Sequence, residues 1–153
     1  MGGSALAAVR KAFRMEHIPT ELQTVSQQFY AAVNEGVMYG DASAMLALWS
    51  ERDDSSYCDP SGHVQLGRQA LADYWNHAAL LNSAEPGSIS ATTEILAVQA
   101  SAEMVSMIVR EHIQLREQRQ IIRRQALATN VYRYEDQQWR MVHRHTSTPM
   151  EEE

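Results

Sequence analysis

The chain carries one cysteine, Cys58, and one lysine, Lys11, among 153 residues. A single cysteine excludes an internal disulfide framework and fits a reducing compartment. No apolar run approaches the roughly 20 residues that cross a bilayer, and no charged-then-apolar signal segment opens the chain. The expected address is therefore the cytoplasm, with no membrane partner. Also missing are an H-E-x-x-H helix, paired C-x-x-C motifs, a G-x-S-x-G elbow and a phosphate-cradling glycine loop. Those absences remove the commonest zinc, serine-hydrolase and nucleotide sites, and no cofactor is expected. With a net charge of −6, nucleic acid is not an expected partner either.

What is present is an ordinary globular composition, 44% hydrophobic and 21% charged, at a length that supports one domain. Twelve of the thirteen basic residues are arginine, and eight of those fall between Arg110 and Arg144. Arginine grips carboxylates and planar polar groups in a fork, which lysine does not. Residues 1–18 form an extension in which Leu6, Val9 and Phe13 share a helical face, expected to dock within an oligomer rather than on a membrane. Residues 149–153 read as an acidic, solvated tail.

The body, residues 19–148, changes period midway. "PTELQ" has Thr20 as N-cap and Gln23 three residues on, the spacing of a capping box. Leu22, Val25, Phe29 and Val33 then recur at helical spacing as far as Gly36. Asp41 opens a shorter helix, and a third follows "LGRQ" with Leu71, Tyr74, Trp75 and Ala78 on one face. "SSYCDP" and "HVQLG" read as a short strand pair between the second and third helices. From Ser88 four long β-branched and aromatic stretches are separated by polar turns, which predicts an antiparallel meander. Helices first and a meander afterwards predict an α+β fold with the helices on one face of a curved sheet.

The last stretch, "WRMVHRHTS", fixes the site expectations. Strict alternation puts Trp139, Met141, His143 and His145 on one face and Arg140, Val142 and Arg144 on the other. Two imidazoles on a pocket-facing strand would titrate near neutrality. Metal is the lesser reading: His-x-His presents two ligands and Asp59 a third, while His63 and His112 have no defined orientation. Arg124 shares parity with Ala126, Ala128 and Asn130 and points to the pocket end, where it would hold a carboxylate. Trp49 and Trp75 read as core and pocket wall, and Cys58 as inert packing.

"FYAAVNEG", "DASAMLALWSERDD", "YCDPSGHVQLGRQALADYW" and "TNVYRYEDQQWRMVHRHTS" together resemble the SnoaL-like branch of the NTF2-like, cystatin-like cone superfamily over residues 20–148. The resemblance implies a helix-lined, mostly apolar pocket over the concave sheet face, and long strands with Ile, Val and Leu on both faces predict a homodimer across the convex one. It puts Asp59, beside Tyr57, where ketosteroid-isomerase-like members carry a general-base carboxylate. The plain alternative is that Asp59 before Pro60 opens a turn. Phe29 takes the place of the oxyanion tyrosine, with Tyr30 rotated by about 100°, and Asn130 that of the acidic partner.

The resemblance thus implies a pocket protein for a small apolar molecule with a carbonyl or carboxylate. Asp59, His143 and His145 would perform isomerase, dehydratase or cyclase chemistry, with Phe29, Tyr30, Trp49, Tyr57, Trp75, Arg124, Asn130 and Tyr132 contacting the ligand. The alternative is a non-catalytic ligand-binding or assembly module, since the ending also resembles the association domain of calmodulin-dependent kinase II. In that case the histidines would only satisfy a buried hydroxyl such as that of Tyr132.

Overall fold

The computed structural model describes residues 18–152; the helical face expected at Leu6, Val9 and Phe13 lies outside them. Helix α1 (Thr20–Ala31) widens into a turn with longer-range hydrogen bonds at Ala32–Gly36 and tightens again at Val37–Tyr39. Helix α2 (Ser43–Leu48), the short strands β1 (Ser56–Cys58) and β2 (Val64–Leu66), and helix α3 (Gly67–Asn82) follow. Four long strands complete the body: β3 (Ile89–Ala100), β4 (Met104–Glu117), β5 (Gln120–Glu135) and β6 (Gln138–Thr146). The α+β expectation holds: the spatial order is β2-β1-β6-β5-β4-β3, with β1 parallel to β6 and the other pairs antiparallel.

Two local expectations are corrected. The start of α1 is not a capping box: the Pro19 carbonyl accepts the N–H groups of Leu22 and Gln23, and the Gln23 amide donates to the Ile18 carbonyl at 2.8 Å. The acidic tail is not a free end, because Met150–Glu151 form β7, paired with Gln125 and Arg124 of β5. Glu152 then reaches His112 on β4. The open backbone of β5 beyond the end of β6 supplies this pairing site, a reward no periodicity in a five-residue tail reveals.

The core lies between the helices and one face of the sheet. Phe29, Val37, Met45, Trp49, Leu71, Met107, Val109 and Met141 are all fully buried there, and each such side chain contributes roughly 1.5–3 kcal/mol on burial. Two polar devices fix the helices over the sheet. The Asn34 side chain accepts from the Ala91 N–H at 2.9 Å and donates to the Ala91 carbonyl at 2.8 Å, stapling the widened turn after α1 to β3. At α3, Asp53 accepts the Arg68 N–H at 3.0 Å. Gly67 just before it has φ of 85°, with no room for a Cβ beside the Asp53 carboxylate, so the left-handed turn into α3 requires glycine.

The most consequential irregularity is in β6. Val131 pairs with His143 while Tyr132 pairs with Met141, leaving Val142 as an extra residue. Met141 and Val142 are both buried. Trp49 bridges to Met141 in parallel register, and the Ser50 N–H bonds the Met141 carbonyl at 2.9 Å. A bulge of this kind inserts one residue and reverses which face every later side chain takes.

Candidate functional site

Because of that bulge, Arg144 and Thr146 point inward and are buried, whereas His145 is exposed and His143 half-buried on the outer face. This corrects the pocket-facing reading of both histidines. The imidazole of His143 meets the Ser56 hydroxyl on the adjacent strand at 2.8 Å. Burial, with a smaller effect from His145, pushes its pKa below the ordinary value.

Asp59 is buried at the β1–β2 turn and stays there. Its carboxylate accepts the backbone N–H groups of Ser61 and His63, the Ser61 hydroxyl and the Gln65 amide. Burial alone would raise its pKa, but these hydrogen bonds outweigh burial and hold it below the usual carboxylate range. The structure therefore gives Asp59 the turn-opening arrangement. None of Asp59, His143 and His145 lines the cavity between the helices and the sheet, and among the described residues no cluster of three or more candidate ligands is placed to hold a metal ion.

A cavity of about 170 Å³ does lie between α1, α3 and the inner face of β3 and β4. Val33, Val37, Met38, Ala78, Ile89, Ala91 and Ile113 make its apolar walls, and Tyr30, Tyr57, Tyr74 and Trp75 its aromatic ones. Of the residues expected at the ligand, Tyr30, Tyr57 and Trp75 line it. Trp49 stacks behind Tyr57 at 6.4 Å between ring centroids. Phe29 lies under the guanidinium of Arg144, 5.0 Å from its ring centroid, with Tyr57 at 5.5 Å. Tyr132 is buried with its hydroxyl unpartnered among the described residues. Arg124 is not on the cavity; strand parity was right for it, but it stands at the far end of β5, beside Glu151 of β7.

The polar end of the cavity is built by two residues the sequence reading passed over, Arg144 and Glu111. Arg144 Nη2 donates to Glu111 Oε2 at 2.9 Å, and Tyr30 donates its hydroxyl proton to the same oxygen at 2.6 Å. Arg144 Nη1 donates to Asn130 Oδ1 at 2.9 Å, while the Asn130 amide donates to the Tyr30 hydroxyl at 3.0 Å. All four side chains are buried. Among the described residues the network leaves two groups over: the Arg144 Nε–H has no partner, and Glu111 Oε1 accepts no bond, both of its bonds falling on Oε2.

The electrostatics follow from this closure. Burial raises the Tyr30 phenol well above its normal pKa, and Glu111 adds to that, so Tyr30 serves as a neutral donor. Burial works against the charge on Arg144, but the neighbouring Tyr57, Glu111 and Tyr30 outweigh it and keep the guanidinium protonated. Tyr74 is likewise raised, mainly by burial.

Glu111 had left a signal. Val105, Met107, Val109, Glu111 and Ile113 alternate on one face of β4, so a carboxylate interrupts an otherwise apolar stripe. A buried charge of that kind needs a partner. Arg144 left none, because strict alternation assigned it to the outside.

Comparison with known proteins agrees with this architecture. No curated protein sequence matches the chain. Among solved structures, a candidate calcium/calmodulin-dependent protein kinase type II association domain from Thiobacillus denitrificans superposes with a TM-score of 0.69. It has 28% identity over 84% of this chain and 94% of that one. A candidate dehydratase of the NTF2-like family from Streptomyces avermitilis has a TM-score of 0.67 and 19% identity, over 85% and 94% of the two chains. A ketosteroid isomerase-like protein from Erwinia carotovora atroseptica has a TM-score of 0.63 and 17% identity, over 86% and 95%. The likeness at these lower identities is one of fold, the NTF2-like cone. A family model described as "SnoaL-like domain" matches residues 22–151, nearly the whole described body, and the chain belongs to the SnoaL-like family.

Proposed function

We propose that this protein binds a small, largely apolar molecule in the cavity between α1, α3 and the sheet, and holds its polar group against Arg144 and Glu111. The observation that carries the reading is the combination of an aromatic-walled void with a single buried, hydrogen-bonded ion pair at one end. Apolar walls with a few convergent polar groups are the usual make-up of a ligand site. Asp59 is spent on its turn and the two histidines face away, so the reading gives none of the three a part in chemistry. The names of neighbouring structures, which include a dehydratase and an isomerase-like protein, support a pocket lineage without supplying a reaction.

The test is a thermal-shift screen of small unsaturated carbonyl compounds against wild type and Ala78→Leu. Ala78 lines the void, so leucine there fills ligand space rather than a packed core. A ligand at a hundred times its Kd stabilises the native state by about 2.7 kcal/mol, and that shift should vanish in Ala78→Leu. Hits that stabilise both proteins equally would end the proposal.

One observation favours a second reading, in which Glu111 removes a proton from the bound molecule: its Oε1 is unbonded at the cavity wall. Turnover lost in Glu111→Gln with binding retained would support it.

A further inference from the structure

We infer that the ligand of this cavity is a neutral, single-ring molecule whose polar group both accepts and donates a hydrogen bond, as a primary carboxamide does. The inference rests on the ligand-binding reading above and names the class of molecule.

Three observations carry it. The first is size. At about 170 Å³ the void barely exceeds the roughly 150 Å³ apolar cavity that takes up benzene, and a four-ring skeleton occupies several times the space of one ring. The wall suits a flat ring, since Tyr57 and Tyr74 lie 5.0 Å apart and Tyr57 and Trp75 5.6 Å apart between centroids, all three on the void.

The second is charge. Arg144 and Glu111 are 7% and 6% exposed at the side chain and already form a 2.9 Å ion pair. Among the described residues they are the only charged ones lining the cavity. A carboxylate brought there would set two anions against one cation in a poorly solvated space, which is costly. A neutral group leaves the pair balanced.

The third is the hydrogen-bond remainder. Tyr30 both donates and accepts within the network, and Asn130, bonded to Arg144 and Tyr30, does not line the cavity. The unpartnered Arg144 Nε–H is sealed from the void. On the cavity itself, what stays open is one acceptor, Glu111 Oε1, which takes no bond, and hydroxyl donors on the same wall, Tyr74 and Tyr57. A carboxamide matches both, its carbonyl accepting from a tyrosine hydroxyl and its N–H donating to the Glu111 carboxylate. A carboxylate offers no donor, so Glu111 Oε1 would face another acceptor.

The experiment is calorimetric titration of wild type with three probes: benzamide, benzoate and a four-ring steroid ketone. Benzamide should bind at least tenfold more tightly than benzoate at neutral pH, and the steroid should give no binding heat. Benzoate binding as tightly as benzamide or tighter overturns the neutral-ligand inference, and saturable steroid binding overturns the single-ring one. If neither single-ring probe binds, the inference falls with them.

A second arm reads the charge directly. Glu111→Gln leaves Arg144 uncompensated, so the preference should reverse toward benzoate, and an unchanged preference counts against the argument. Repeating the titration in Ala78→Leu separates the two claims. Benzoate preferred by wild type and lost in Ala78→Leu would refute the ligand class while leaving the cavity reading standing. Binding of any probe that survives the filling substitution refutes the cavity reading itself.

Discussion

At the residue scale, the side chain that matters most is Arg144, and its energetics are those of a buried ion pair. Removing one partner strands the other charge without water, which costs about 3–5 kcal/mol, whereas replacing both by apolar groups of similar volume is often neutral or stabilising. Arg144→Met should therefore lower the urea-unfolding free energy by that amount, leaving Glu111 with the Tyr30 bond alone. Adding Glu111→Leu should restore most of the loss while abolishing binding of any polar ligand. A double variant no more stable than Arg144→Met would mean that the pair itself, rather than its desolvation balance, holds the core together. His145→Ala should change neither stability nor binding by a measurable amount, because that ring is exposed on the opposite face.

At the element scale, the β1–β2 turn and the β6 bulge show how far sequence reading reaches. The order of helices and strands was legible because it is local: apolar spacing, turn residues and the shift from a period of 3.6 to one of 2 all act within a few positions. Asp59 offered two local readings, and the turn won because backbone N–H groups two and four residues on were already in reach. The bulge was not legible. Whether β6 carries an extra residue is decided by what packs against it, here Trp49 and Ser50 from some ninety positions earlier, and nothing within "WRMVHRHTS" encodes that wedge. One missed residue exchanged a pair of histidines for an arginine as the pocket's polar group.

The turn gives a pH-dependent prediction. The carboxyl of Asp59 is held below its ordinary value in the folded state, so the unfolded chain binds the proton more readily. Its contribution is then fully present above the unfolded value of about 3.9 and is lost as pH falls through the lower folded value. Asp59→Ala should cost roughly 1–3 kcal/mol at neutral pH, the gap to wild type closing only under strongly acid conditions and ligand binding remaining intact. A gap that stays constant down to pH 2 would mean the carboxylate's charge plays no part.

At the scale of the whole molecule, the sheet divides two tasks. Its inner face holds the balanced ion pair and the void; its outer face carries Arg110, His112, His143 and His145 among side chains such as Leu127, which is 47% exposed. Backbone and side chain separate cleanly at Leu127, whose N–H and carbonyl are both bonded by Ser147. A substitution there alters the surface without loosening the strand. If the outer face is the dimer seam that the sequence reading expects, it must bury about 800 Å² per subunit, and a charge set among its apolar contacts would oppose closure. Sedimentation velocity of wild type should then give a dimer, and Leu127→Glu a monomer with an unchanged unfolding midpoint for the isolated fold. The two faces are separated by the thickness of the sheet, so the monomeric variant should keep the affinity of wild type for a cavity ligand. A wild type that sediments as a monomer at high micromolar concentration removes the dimer. A Leu127→Glu variant that loses ligand along with its partner would show instead that assembly on one face shapes the void on the other.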